Sequence, residues 1–285
     1  MGANIFRGNF FFEGRVWAIN KSQLYSGAAL TVVSKSTGSD STPQPMNLHG
    51  WNQGTWPGPG PHYFISDDQF NGATYGVFSW TNAFGGGGGT FTKTGVVNLN
   101  LATGITAGAP IAAPQQGGNN LQANDWRVQD ADYRNGFLWM TNTIACNPGG
   151  GTVNCVRWAQ INPATLTVAN AGVFASSGVH RTFAEVAANH CNDALIGYTK
   201  TSSSMSPEVW VTGRQGGDPA GTVQAEVVCR NGDGVYTSFD SVPHRWGDYT
   251  EATPDPNGVD LWYVGEFSKP TQAVPSFTST KWGTT

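Results

Sequence analysis

The sequence predicts an all-β protein of the β-propeller kind, with about five four-stranded blades, one of them composite or incomplete. Three observations predict it: a composition rich in glycine and aromatics but poor in charge, a hairpin-like segment that recurs three times, and short strand patterns between turn signals along most of the chain. Gly accounts for 38 residues, Trp for 11 and Phe for 15, while charged residues make up 12%, against roughly 25% in an average globular protein. Glycine supplies positive φ in tight turns, and aromatic side chains suit a pleated, half-buried surface. Many short strands joined by turns is the economical reading. All-β folds of 285 residues often form one unit, and no domain linker interrupts the chain, so residues 1–285 are read as a single domain. A large sandwich or a β-helix is the main alternative.

The first strands come from NIFRGNFFFEGRVWAINKSQLYSGAALTVVSKS, which reads as the outer strands of a blade whose innermost strand is absent. KSQLYSGAAL within it is the best helical candidate, and it lies in a connection. QPMNLHG would be the inner strand of the next blade, with HYFISDD, YGVFSWT and TFTKTGVVNL completing it. The tracts FGGGGGTF and PQQGGNN are short enough to be loops.

The repeat follows: Arg127-VQDADYRNGFLWMTNT, Arg181-TFAEVAANHCNDALIGYTKT and Arg245-WGDYTEATPDPNGVDLWYVGEF. Each opens with an arginine, carries an acidic residue close behind, turns at RNG, HCND or DPNG, and continues into a second strand with LWM, IGY or LWY. A third strand follows each: VRWAQIN, EVWVTGR and, less clearly, FTSTKWG. The spacing is somewhat wider than the roughly 40–50 residues of a four-stranded blade, as loop insertions would give. Radial packing covers both faces of every sheet, which suits strands without clean alternation.

A net charge of −4, with 15 Lys+Arg scattered along the chain, excludes the basic stripe that a phosphate backbone demands. No apolar run approaches the roughly 20 residues needed to span a bilayer. The N-terminus MGANIFRG lacks the basic and apolar regions of a signal peptide, so such a segment was either removed or never present. Low charge with abundant Gly, Ser and Thr nevertheless looks extracellular, and so do cysteines read as disulfides, 146 with 155 and 191 with 229. Spacing does not suggest zinc, and His180, His190 and His244 look structural.

At RWGDYTEATPDPNGVDLWYVGEF followed by TKWGT, the sequence resembles a family of large secreted bacterial β-propeller proteins with an RWGDY…DP…W…E[YF]…WGT pattern, loosely called sialidase-like. VWAINKSQLYSGAAL, EVWVTGR and GTVQAEVV fit the same resemblance. It implies the propeller fold and export, but no agreed activity. Family members usually carry further blade sequence before this chain's start, which implies either a naturally short propeller or a piece of a larger one.

Propellers place ligands at the axial mouth, where inner strands converge. Arg127, Arg181 and Arg245 would there form a cluster for a carboxylate or sulfate, since guanidinium forks bind such groups bidentately. The bland account pairs each arginine with a nearby acid, with Asp130, Glu185 and Asp248 as ready partners. Acid/base work on a sugar needs paired carboxylates or a Tyr–Glu couple. Asp248, Tyr249 and Glu251 are the catalytic candidates, with Asp130 and Glu185 able to converge on the same cavity. No SxDxGxTW box occurs, although sialidases usually carry several. Trp51 and Trp56, in HGWNQGTWPGPGPHYF, are candidate sugar-stacking platforms or a packing staple for that loop. No cofactor is expected; Asp255, Asn257 and Asp260, or Asn231 and Asp233, could offer calcium oxygen ligands, but Asx-rich turns look the same. The preferred reading is an extracellular propeller that recognises a glycan or other surface polymer. The alternative is a glycan-acting hydrolase related to sialidases, and the sequence leaves open whether the protein is an enzyme.

Overall fold

A computed structural model of the chain describes residues 1–48, 60–274 and 277–284. The molecule is all-β, built from antiparallel sheets that follow one another along the chain. β1 (Gly2–Arg7), β2 (Phe10–Ile19) and β3 (Val32–Gly38) form a three-stranded sheet. β4 (Ser41–Pro45), β5 (His62–Asp67), β6 (Thr74–Thr81) and β7 (Thr90–Asn98) form the first four-stranded one. The next is β8 (Asp130–Arg134), β9 (Phe137–Cys146), β10 (Val153–Asn162) and β11 (Thr167–Phe174). The third comprises β12 (His180–Ala188), β13 (Ala194–Ser202), β14 (Met205–Arg214) and β15 (Val227–Arg230). Two hairpins finish the chain, β16 (Glu251–Pro254) with β17 (Leu261–Val264), and β18 (Glu266–Val274) with β19 (Phe277–Thr284).

The three recurring segments are therefore three hairpins, β8–β9, β12–β13 and β16–β17, turning where the polar tripeptides and tetrapeptides stand. Their arginines are not equivalent. Only Arg181 lies within a strand; Arg127 and Arg245 precede theirs. FTSTKWG belongs to β19, which pairs with β18 and not with β17. Helix is confined to single turns. α1 (Lys21–Ser26) is the expected KSQLYS piece, capped by Asn20, whose side chain accepts from the backbone N–H of Ser22 and Gln23. α2 (Leu99–Thr103) is capped likewise by Asn98.

Successive sheets stack face to face, and β9 shows how one strand serves two neighbours. Leu138 and Met140 pack with Ile65, Tyr75 and Val77 of the preceding sheet. Trp139, between them, packs with Trp158, Val186 and Ile196 toward the following sheet. Alternate side chains leave opposite faces, and both faces are covered, so β9 is buried almost throughout. The three-stranded sheet joins through Val16, Phe64, Phe78 and Trp80.

The first strands of successive sheets lie beside one another. Asn47, just past β4, donates its backbone N–H to Ala131 O and accepts from Tyr133 N, both in β8. Asp132 in β8 accepts from Ala188 N of β12 at 2.8 Å. β1 occupies the corresponding place in its own sheet. A Cβ on Gly2 would stand 1.7 Å from Pro43 O, so glycine is what lets β1 press against β4. The sheet expected to lack a first strand thus has one, β1, set beside β4.

Cys146 and Cys155 form a disulfide. Cys191 and Cys229, expected to pair, are free and exposed. Cys191 sits in the β12–β13 turn, whereas Cys229 lies in β15 beside Val209 and Trp210 of β14, two strands across and several residues along. A disulfide needs Cα atoms within about 7 Å. No helix among the described residues is long and apolar enough to cross a membrane.

Candidate functional site

A cavity of about 400 Å³ opens where the first strands meet. β1 contributes Gly2, Ala3, Asn4 and Phe6; β4 contributes Thr42 and Gln44; residues 127–129, leading into β8, supply Arg127 and Gln129. Glu185 comes from β12, and Asp248, Tyr249 and Thr250 lead into β16. Four of the residues singled out in the sequence, Arg127, Glu185, Asp248 and Tyr249, therefore share one lining.

Its polar groups are mostly fixed by neighbours. The Asn4 amide donates to Thr42 Oγ1 at 3.0 Å, and Gln44 Nε2 donates to Val128 O at 3.3 Å. Arg127 is held in a fork by Asp125, Nε to Oδ1 at 2.7 Å and Nη2 to Oδ2 at 2.8 Å. Asp248 pairs with Arg245 and accepts from the Asn124 amide at 3.4 Å. Phe6 and Tyr249, 56% and 87% exposed, set two aromatic side chains at the opening.

Glu185 differs from these. It is buried, Oε1 accepts from Thr250 Oγ1 at 3.0 Å, and Oε2 has no partner. Asp130 is similarly placed: Asn47 Nδ2 donates to Oδ1 at 2.8 Å, while Oδ2 is unpartnered. Burial pushes both carboxyls well above the usual carboxylate range; like-charge repulsion from Asp130 and Glu251 raises Glu185 further, and that from Glu251 and Asp132 raises Asp130. Burial lifts Glu251 also. Asp132, fully buried, is pushed up to about 7, chiefly by burial. Glu185 on the lining, with Asp130 and Asp132 buried behind it and Glu251 exposed at the start of β16, makes this side of the cavity acid-rich.

The other expected residues stand elsewhere. Arg181 is buried but pairs with Glu226, Nε to Oε1 at 2.6 Å, beside the Tyr198 hydroxyl and Lys200, which also donate to Glu226. The strand pairing explains the separation. Arg181 is opposite Lys200 and Glu185 opposite Gly197, with a register irregularity between Thr182 and Glu185, where Phe183 has φ 54°. Cross-strand partners share a face, and residues 200 and 197 of β13 leave opposite faces. Arg181 and Glu185 are consequently turned apart. Arg245 is 65% exposed and lies outside the lining. The three arginines do not converge, and each has its own carboxylate. Trp51 and Trp56 lie outside the described residues.

The TPDPNGVD segment is closed by its own side chains: Asp255 Oδ1 accepts from Asn257 N, and Asn257 Oδ1 accepts from Val259 N and Asp260 N. In RNGDG, Asp233 pairs with Arg230. Among the described residues no three His, Cys, Asp or Glu side chains converge as metal ligands.

Comparison of the chain with family models, with curated proteins and with solved structures finds no match. The site must be read from its own chemistry. Sequence reasoning did not single out Asn4, Phe6, Thr42, Gln44, Gln129 or Thr250, which complete the lining, nor Tyr263. The available signal was the hairpin repeat itself: extended to GANIFR, it would have put β1 among the first strands that line the cavity. Tyr263 lies over Gly197, where a Cβ would come within 2.4 Å of its ring. Its buried hydroxyl, unpartnered, stands near Glu185, and burial with that carboxyl pushes its pKa upward.

Proposed function

We propose that the chain is an extracellular β-propeller of about five blades that recognises a glycan at the cavity between its first strands. The three-stranded sheet, the three four-stranded sheets and a composite of the two last hairpins would be the blades. The observation that carries the reading is the lining itself: side chains from β1, β4 and β12 and from the runs entering β8 and β16, polar in the middle and aromatic at the opening. Sugars are bound by such combinations, hydroxyls taking fixed hydrogen-bonding groups while ring faces stack on exposed aromatics. The Cys146–Cys155 disulfide favours an oxidising compartment. The RWGDY…WGT resemblance, with the export it implies, points the same way.

A glycan array probed with the unmodified chain and with Tyr249→Ala tests this. Tyr249 is 87% exposed, so its truncation should leave the melting temperature unchanged while weakening binding about tenfold or more. Retention of full binding by the variant would move the site elsewhere.

One observation favours the hydrolase reading as an alternative. Glu185 is a buried carboxyl on the lining whose raised pKa suits a general acid. Against it, the other lining carboxylate, Asp248, is paired with Arg245, and Tyr263 beside Glu185 is held protonated rather than activated. Turnover of chromogenic glycosides that Glu185→Gln abolishes would decide for the enzyme.

A further inference from the structure

The hydrogen bonding around the cavity does not balance. Arg127 is held by Asp125 and Asp248 by Arg245, which leaves Glu185 on the lining and Asp130 behind it. Glu185 is 3% exposed and Asp130 6%, yet Glu185 Oε2 and Asp130 Oδ2 each lack a partner. A buried acceptor with nothing to accept from is costly, and more so when ionised. Charged and titratable groups reach Glu185 from the neighbouring strands: Asp130 on β8, Glu251 on β16 and Tyr263 on β17. None of them is a cation. Asp132 and Arg134 lie further along β8 and act on one another.

We propose that the cavity takes its glycan through a protonated amine, the ammonium of a deacetylated amino sugar, with Glu185 as its first acceptor and Asp130 as the counter-charge behind. This rests on the glycan reading and names the substrate class of the same site. An ammonium brings donors and no acceptor, and its positive charge is what three carboxyls at close quarters lack. A neutral hydroxyl satisfies one lone pair and brings no charge to favour the carboxylate form. The carboxylate of an acidic sugar brings acceptors and a negative charge, which further disfavours the ionised forms of Asp130, Glu185 and Glu251. Burial raises the pKa of Glu185 and Asp130 and so favours their protonated forms in the ligand-free protein; the arriving ammonium displaces the proton, the carboxylic O–H being lost to solvent as H⁺ and the ion pair forming in its place.

Calorimetric titration of the full chain with glucosamine oligomers, their N-acetylated counterparts, glucose oligomers and oligogalacturonate tests the assignment. The free-amine oligomers should bind about tenfold or more tighter than the acetylated ones. Their binding heat should vary with the ionisation enthalpy of the buffer, as proton release requires. Glu185→Gln should erase the preference while the melting temperature holds; the ligand comparison on the unmodified chain decides even if that variant does not fold. Equal binding of amine, acetylated and neutral oligomers would overturn the proposal and leave glycan recognition standing. Tightest binding of oligogalacturonate, an amine preference that survives Glu185→Gln, or binding without proton release would also overturn it. No binding by any of the four would take down the glycan reading as well.

Discussion

Replacing Asp132 by Asn should make the protein more stable at neutral pH and leave it nearly unchanged in acid. Asp132 is fully buried in β8; Oδ2 accepts from Ala188 N at 2.8 Å and Oδ1 has no partner. Burial is the largest influence and raises its pKa from 3.8 to about 7, against the hydrogen bond from Ala188 and the charge of Arg134. With the folded value above the unfolded one, the native state holds the proton more tightly. Stability from this group is complete below about pH 4, declines as the unfolded chain ionises first, and levels off above about pH 7. At about 1.4 kcal/mol per pH unit, the decline totals about 4 kcal/mol. Asn keeps an acceptor for Ala188 N and has no proton to lose. Asp130 and Glu185 titrate in both proteins, and because the Asp132 charge also raises Asp130, the difference between variant and parent reports Asp132 together with that coupling. Urea unfolding at about pH 4.5, 5.5, 6.5 and 7.5 should give a difference that grows with pH to about 4 kcal/mol, with similar m-values. A difference independent of pH would refute the reasoning. So would a variant that loses ground as pH rises, because Asp132 would then be ionised and stabilised by Arg134 in the folded protein.

Glu226 should behave in the opposite sense. Against the upward push of burial, donors from Arg181, Tyr198 and Lys200 bring it down to about 2, so its contribution, present above about pH 4.5, is lost as pH falls toward 2; Glu226→Gln should flatten the acid limb of a stability–pH curve by about 3 kcal/mol. Trp158 stacks on Trp139 with ring centroids 6.3 Å apart between two sheets, and Trp158→Ala should cost about 3–5 kcal/mol in chemical denaturation. Cys146→Ser with Cys155→Ser should cost about 3 kcal/mol by opening a loop of sequence separation 9. A thiol reagent should meanwhile find Cys191 and Cys229 reactive in the folded parent, since both are exposed and unbridged.

The strand–turn–strand grammar was readable because its determinants are local. RNG, HCND and DPNG close the three hairpins, and the run FLWMTNTIAC lacks alternation because Trp139 and Met140 face different neighbouring sheets. What the sequence hid depends on register. Arg181 and Glu185, four residues apart, would share a face of a regular strand, and the irregularity at Phe183 turns them apart. Nothing in RTFAEV marks that break. The 191–229 disulfide failed for the same kind of reason: the cysteines lie in one sheet, but its pairing sets them strands apart. Asn4, Thr42, Gln44 and Gln129 are ordinary polar residues in their own strands, and only long-range packing makes them a lining. Asp248 and Tyr249 were legible beside the RWGDY motif, whereas the pairing of Asp248 with Arg245 shows why a motif arginine need not face a ligand.

The most direct measurement is a crystal structure of the chain with the tightest ligand found on the array. Electron density for sugar rings between Asn4, Arg127, Glu185 and Tyr249 is the expected result. A ligand bound on an outer edge of the sheets, with the space among β1, β4 and β12 holding only solvent, would contradict the account.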